Sequence, residues 1–479
     1  MTWTDVGGWE NADAKAVGTG PNPDSRNSSY YGLGIFSGTA QPYNITGEQD
    51  GTLIAFYTAV QYLPTNWAIP YIPGTEKQAI VISNDGGKTW EQYAGNPIIS
   101  EHPEGWNVTG WRDPFVEPWP EMDAILGQSE PHWYMVLGSG IKGEDGGGRI
   151  PFYSAPQSNL TDWTFLGALW EPKPNQTLGS LVETGTYGFN FEVSNFFSLT
   201  DEDDDVHYYV LMGTEGGNLT WHPRAQWGLW NEGQVTRREN GSAEFTPVSG
   251  GVIDSGLLYA VTSFNDTKND RRVQWGWATE ENNNFGINQN GYQGAMALPR
   301  EMYVIKTRDL VNADGGLTTK GNTRVVEHGN GTFTGYTLGA RPLPDVVEAL
   351  RGEERTINAI SNWTTSMLVG RGTAHMELAI TLSNCTGPAG VTIAASPNGE
   401  EYTHIYYDPS NYTVNVDRSQ SSNIDEFANY TMIGYFYPYT FSNGTTESLH
   451  MNVFVDGSLV EVYINVSKRS TAHDPNPQY

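Results

Sequence analysis

The sequence predicts an all-β protein, a β-propeller followed by a β-sandwich, and three observations lead there. Short runs rich in β-branched and aromatic residues recur between turn signals. Trp-containing runs follow several of them, so that a strand-rich unit repeats along the chain. Near residue 335 this rhythm stops and a different strand pattern begins. In order, the runs are "TLIAFYTAV" (52–60), "HWYMVLGSG" (132–140), "HYYVLMGTE" (207–215), "LLYAVTSF" (257–264) and "RVQWGWA" (272–278). Each has the length and composition of a strand. The Trp-containing followers are "DGGKTWEQY" (85–93), "LTDWTFLGALW" (160–170) and "NLTWHP" (218–223). Repeating strand units of this kind are the blades of a propeller, with inner strands around a central channel.

The best helical stretch is "LPDVVEALRGEE" (343–354), where Pro344 precedes Val346, Val347, Ala349 and Leu350. Beyond it, "HMELAITL" (375–382), "TVNVDRS" (413–419) and "HMNVFVDGSLVEVYINV" (450–466) alternate apolar and polar residues. In the last, Asp456–Gly457 between two alternating runs is a hairpin signal. The expected organisation is a propeller over 1–335, a linker with a short helix over 336–356, and a sandwich over 357–479.

Composition excludes several function classes. There are 55 acidic and 26 basic residues among 479, a formal net charge of −29. Nucleic-acid binding rests on Lys and Arg neutralising phosphates, and anionic membrane surfaces need the same cations. No apolar run reaches the roughly 18 residues of a membrane span. The single cysteine, Cys385, rules out an internal disulfide. No zinc motif, phosphate loop or dinucleotide fingerprint is present, so no cofactor or metal is expected. The run "DEDDD" (201–205) reads as a solvated hairpin loop rather than a calcium site. Fifteen Asn-x-Ser/Thr sequons, among them Asn27, Asn107, Asn159, Asn218, Asn330 and Asn465, point to a secreted, N-glycosylated protein. The opening "MTWTDVGGWENADAK" nevertheless lacks the basic and apolar regions of a signal peptide.

Three stretches stand apart from the scaffold. Arg112 and Asp113 lie side by side in "TGWRDPFVEPW" (109–119), Glu192 is the only charge in "YGFNFEVSNFF" (187–197), and Glu215 ends a strand in "GTEGG" (213–217). Charged side chains are seldom buried unless paired or put to use. Glycoside hydrolysis needs two carboxyl groups flanking one bond, one of them with a raised pKa so that it can donate a proton. On this reading an apolar surround raises Glu192, while the adjacent arginine keeps Asp113 ionised.

"WRDPFV" resembles the Arg-Asp-Pro motif of glycoside hydrolase family 32, the family of invertases, inulinases and fungal fructosyltransferases. "NFEVSNFF" resembles its acid/base strand, with Glu192-Val193-Ser194 where many members have Glu-Cys-Pro. "RRVQWGWATE" (271–280), "GYQGAMALPREMYV" (291–304), "IFSGTA" (35–40), "VDRS" (416–419) and "VFVDGSLVEVYIN" (453–465) are similar to other stretches of that family. The resemblance implies a five-bladed propeller with a C-terminal sandwich, acting on sucrose or on inulin- or levan-type fructans by a retaining mechanism. It implies that Arg112 grips the fructosyl hydroxyls, Asp113 stabilises the transition state and Glu192 is the general acid/base. It places Phe36 and Ser37 in the fructosyl pocket, and Glu215 and His222 as further sugar contacts.

The resemblance also requires a nucleophilic aspartate in an Asn-Asp-Pro or Gly-Asp-Pro motif near the N-terminus. The Asp-Pro pairs here are Asp113–Pro114, Asp408–Pro409 and Asp474–Pro475, and Asp5 in "TWTDVGG" has no following proline. The expectation is therefore a first blade that is incomplete, a nucleophile that is missing and a chain that is inactive as written. Two alternatives compete. One is a degenerate homologue that binds sugar without turning it over. The other is a sialidase-like propeller, because "SNDGGKTW" (83–90) fits the Asp-box pattern, though in a single copy. Hydrolysis against fructosyl transfer, endo against exo action, and oligomeric state stay open. The insert "QYLPTNWAIPYIPGTE" (61–76) and the "EVSN" variant resemble the fungal branch, which includes transferases.

Overall fold

A computed structural model describes residues 16–20, 29–144, 146–217, 226–279, 284–354, 374–424, 427 and 429–466. Asp5, His222 and the "NLTWHP" run lie outside these residues. Contacts divide the chain into two units. The first comprises 1–254, 259–263 and 319–324, and the second comprises 255–258, 264–318 and 325–479.

The first unit holds three four-stranded antiparallel sheets, each formed by consecutive strands. One contains β1 (Gly34–Gln41), β2 (Leu53–Val60), β3 (Glu76–Ser83) and β4 (Glu91–Gln92). The next contains β5 (Val108–Pro118), β6 (His132–Ile141), β7 (Gly147–Pro156) and β8 (Thr164–Trp170). The third contains β9 (Asn190–Thr200), β10 (Val206–Glu215), β11 (Gln226–Arg237) and β12 (Ala243–Val252). Within each sheet the apolar run found in the sequence is the second strand. The first strands β1, β5 and β9 lie in turn beside one another; β5 carries Arg112 and Asp113, and β9 carries Glu192. Two aromatic-rich cores fix the sheets together. Trp111, Trp133, Met135, Ile54 and Phe56 pack in one, and Phe152, Phe191, Tyr187, Phe245 and Leu229 in the other.

The turn Ser83–Trp90 shows how local chemistry ends a strand. Asp85 Oδ1 accepts the Lys88 and Thr89 amides and the Ser83 hydroxyl, and Oδ2 accepts the Thr89 hydroxyl. The Asp-box residues thus close the link between β3 and β4. The "DEDDD" run forms the β9–β10 turn. Its first member differs from the expected solvated loop: Asp201 is buried, 3.4 Å from His207, while the remaining acids are exposed.

β13 (Leu258–Asp266) is shared, with Tyr259–Ser263 belonging to the first unit. In the second unit β14 (Arg271–Ala278) pairs with β15 (Ala295–Met296) and with β16 (Arg300–Leu310). β17 (Arg324–Glu327) and β18 (Phe333–Pro342) extend this sheet, with β18 on β16. The helix follows at Pro344–Leu350, with proline in its first turn, where no amide partner is lost. Residues 333–342, partly assigned to a linker by sequence, are therefore paired strand.

The remaining strands form two facing sheets. β19 (His375–Leu382) begins the first, and β20 (Ala389–Ile393), β21 (Thr403–Asp408), β22 (Thr413–Asp417) and β23 (Met432–Tyr435) make up the second. β24 (Leu449–Asp456) and β25 (Leu459–Ile464) complete the first. Leu449, Met451, Val453 and Val455 alternate inward and meet Ile405, Tyr407 and Val414. That period of two is how a sandwich builds its core. Asp456 pairs with Leu459, so the turn itself is Gly457–Ser458, with Gly457 at φ 58°.

Candidate active site

The site is built on irregularities in the first strands. The β1–β2 register shifts between Phe36 and Gly38, the β5–β6 register between Arg112 and Phe115, and the β9–β10 register around Val193 and Ser194. Asp113 (φ 63°), Val193 (φ 46°) and, on β13, Ala260 (φ 49°) take the left-handed conformation. Non-glycine residues rarely do so, and bulges of this kind re-aim side chains next to active sites.

Arg112 is the hub. Its Nε and Nη2 donate to Glu192 Oε1 at 3.1 and 2.9 Å, its Nη1 to Glu76 Oε1 at 2.8 Å, and its Nη2 also reaches Glu215 Oε2 at 3.5 Å. Glu76 is fully buried and also accepts the Trp111 amide at 2.6 Å. Glu215 accepts Asn190 Nδ2 and Gln226 Nε2. Glu192 Oε2 takes the Tyr259 hydroxyl at 2.8 Å. Asp113 Oδ2 accepts the Val193 amide at 3.0 Å, and its own amide donates to Thr58 Oγ1 at 2.9 Å. Three carboxyl groups thus bind one guanidinium, and the charge of Asp113 acts on it as well.

That imbalance sets the protonation. Burial pushes Asp113 up to about 7, because the Arg112 charge offsets only part of the desolvation, and Glu192 repels it further. Burial also raises Glu215, with Glu192 adding to it. Burial and the charges of Glu192 and Glu215 keep the Tyr259 hydroxyl protonated. The expectation that the neighbouring arginine holds Asp113 ionised is therefore corrected. The guanidinium turns to Glu192, and Asp113 is the carboxyl raised towards neutral pH.

The structure brings together Arg112, Asp113, Glu192 and Glu215. Phe36 stands opposite Thr58 in the β1–β2 register, next to the hydroxyl that holds the Asp113 amide. Ser37 is exposed at the β1 bulge. Sequence reasoning missed Glu76 and Tyr259. A signal existed for Glu76, an acid opening the run "EKQAIVIS" (76–83), whereas Tyr259 sits in an ordinary strand run. Among the described residues no group of His, Cys, Asp or Glu is arranged to hold a metal ion, and no helix is long and apolar enough to cross a membrane.

Asp113 on β5 and Glu192 on β9 thus lie on adjacent strands, with Arg112 bound to Glu192, and glycoside hydrolysis needs two carboxyl groups flanking one bond. Residues 22–313 match the glycosyl hydrolases family 32 N-terminal domain, and residues 346–471 match the family 32 C-terminal domain. The chain belongs to this family. It is 25% identical to a levanase of Bacillus subtilis over 91% of its own length, and spans 55% of that protein. It is 23% identical to an extracellular exo-inulinase of Aspergillus awamori, over 96% of this chain and 78% of the other. Among solved structures, the β-fructofuranosidase of Aspergillus kawachii in complex with glycerol superposes with a TM-score of 0.76 at 27% identity, covering 91% of this chain and 77% of that one. The fructosyltransferase of A. japonicus gives 0.76 at 26% identity, covering 94% and 80%. The fold is a propeller followed by a sandwich, as the strand pattern predicted.

Proposed function

We propose that this site binds the terminal fructosyl unit of a β-fructofuranoside, sucrose or an inulin- or levan-type fructan, and supplies the acid/base half of a retaining mechanism. The observation that carries this is the pairing of Glu192 with Arg112 on one oxygen and Tyr259 on the other. A general acid/base must work in both protonation states. Tyr259 donates to the Glu192 carboxylate and can accept from the Glu192 acid, so the contact survives proton transfer. Glu192 then protonates the leaving oxygen and later deprotonates water or an acceptor sugar. Asp113 hydrogen-bonds fructosyl hydroxyls and, in its ionised form, counters the oxocarbenium charge. Arg112 orients Glu192 and, with Phe36, Ser37 and Glu215, lines the sugar pocket. The sequons and extracellular relatives support secretion with N-glycosylation.

With no further Asp-Pro motif in the propeller sequence, we place the nucleophile outside this constellation and expect the chain alone to bind fructosides without turnover. The reading of a sugar-binding homologue rests on the same fact. Calorimetric titration with fructose and sucrose tests binding, and azide tests the chemistry. Azide attacks the fructosyl C2, the C2–oxygen bond breaks, and glucose departs with the Glu192 proton. Glucose release from sucrose is expected only with azide, and Glu192→Gln slows it at least about a hundredfold. Absence of fructose binding refutes the site. Azide-independent turnover refutes the missing nucleophile.

A further inference from the structure

The loop 61–75, between β2 and β3, is fastened to the site at several points. Thr65 Oγ1 donates to Glu76 Oε1 at 3.3 Å, and the Glu76 amide donates to the Tyr71 hydroxyl at 3.1 Å. The Lys142 ammonium donates to the Ile69 carbonyl. Glu76 is the residue that grips Arg112, so the loop and the catalytic arginine share one anchor. The loop's Trp67 lies flat on Phe189, with ring centroids 5.6 Å apart and planes within 4°. The Phe189 amide in turn donates to the Glu215 carbonyl at 2.8 Å.

Gly216 shows how closely Trp67 is seated. A Cβ there would lie 2.7 and 2.8 Å from Trp67 ring carbons and 3.1 Å from Phe189, and its φ is +75°. The half-buried Trp67 and the exposed Phe189, 37% accessible, form an aromatic wall beside Glu215. Phe189 precedes Glu192 by three positions. At about 3.3 Å per residue the Phe189 backbone, just ahead of β9, lies roughly 10 Å from that of Glu192.

We propose that the Trp67–Phe189 pair stacks on the sugar ring beyond the scissile bond, and so gives the site its preference for fructo-oligosaccharides over free fructose. This rests on the fructoside reading above. Aromatic faces bind the C–H faces of sugar rings by burying apolar area. A wall held by the anchor of Arg112 needs little ordering when ligand arrives.

Calorimetric titration of the full chain with fructose and with the trisaccharide 1-kestose tests it in wild type, Trp67→Ala and Trp67→Phe. The expected result is tighter binding of kestose than of fructose in wild type. Trp67→Ala should lose at least tenfold in kestose affinity while fructose affinity stays within twofold, and Trp67→Phe should recover most of the loss. An unchanged kestose-to-fructose ratio in Trp67→Ala overturns the stacking role. Equal loss of both ligands assigns Trp67 to holding the loop and overturns it too. If wild type binds fructose but not kestose, the inference alone fails. If it binds neither, the fructoside reading fails with it.

Discussion

Asp113→Asn should stabilise this protein at alkaline pH, although it alters a residue at the centre of the site. The carboxyl is buried and its pKa rises from 3.8 to about 7 on folding. Between those values the folded state holds a proton that the unfolded chain has released, so stability falls as pH rises through this window. At about 1.4 kcal/mol per pH unit, the full cost of ionising Asp113 in place approaches about 4 kcal/mol above pH 7. Sharing of charge with Glu192 and Arg112 brings a realistic figure to about 2–4 kcal/mol. Asparagine is isosteric, keeps an oxygen for the Val193 amide, and tolerates the left-handed conformation of position 113 better than most residues. The variant should therefore match wild type at pH 4 and exceed it by about 2–4 kcal/mol at pH 8. Urea unfolding followed by tryptophan fluorescence at pH 4, 6 and 8 measures the difference directly. A difference independent of pH, or a variant less stable at pH 8, would refute the claim that this carboxyl is buried against its own charge.

The site allows three further predictions. Arg112→Met removes the guanidinium that the site's carboxyl groups share and should cost about 3–5 kcal/mol near neutral pH, with a smaller loss at pH 4, where the raised Asp113 and Glu215 carboxyls are protonated; urea midpoints at the two pH values test this. Tyr259→Phe deletes a hydrogen bond to a charged group, about 1.5–3 kcal/mol, so azide-rescued glucose release should slow by about 10- to 150-fold while fructose affinity stays within twofold; equal losses in rate and affinity would make Tyr259 a binding residue. Gly138→Ala places a Cβ 2.5–3.0 Å from the Phe191 and Glu192 backbone and should abolish fructose binding by shifting β9, at an overpacking cost of about 1–3 kcal/mol; calorimetry on the folded variant decides.

The fold was legible because strands announce themselves by period and composition. Runs such as "HYYVLMGTE" and "LLYAVTSF" became β10 and β13 nearly residue for residue. Arg112, Asp113 and Glu192 were legible for a different reason: charge in an apolar strand is costly enough to demand a use. Their pairing was not legible. Adjacency in sequence pointed Arg112 at Asp113, yet neighbours in a regular strand face opposite ways, and the guanidinium instead crosses to Glu192, 80 positions on. Tyr259 reaches the site through sheet geometry alone, which periodicity does not encode, and the only sequence signal for Glu76 is an acid opening an apolar run. Pro114, which has no amide to give to the ladder, sits inside the register shift between Arg112 and Phe115.

The bulges supply that purpose. Arg112 and Asp113 both meet β9, one through Glu192 and the other through the Val193 amide, which a regular β5 would forbid. The register shift between Arg112 and Phe115 and the left-handed Asp113 turn consecutive residues towards one partner. Each irregularity also frees a backbone amide from its ladder, and a buried amide must find another acceptor. The Asp113 amide goes to Thr58 Oγ1, and the Val193 amide goes to Asp113 itself. The same distortion that aims the carboxyl therefore supplies its hydrogen-bond donor. That donor is neutral, so it holds the carboxyl in place without cancelling the desolvation that raises it. Geometry and protonation state at Asp113 are consequences of one backbone choice, made where β5 slips between Arg112 and Phe115 and β9 slips at Val193.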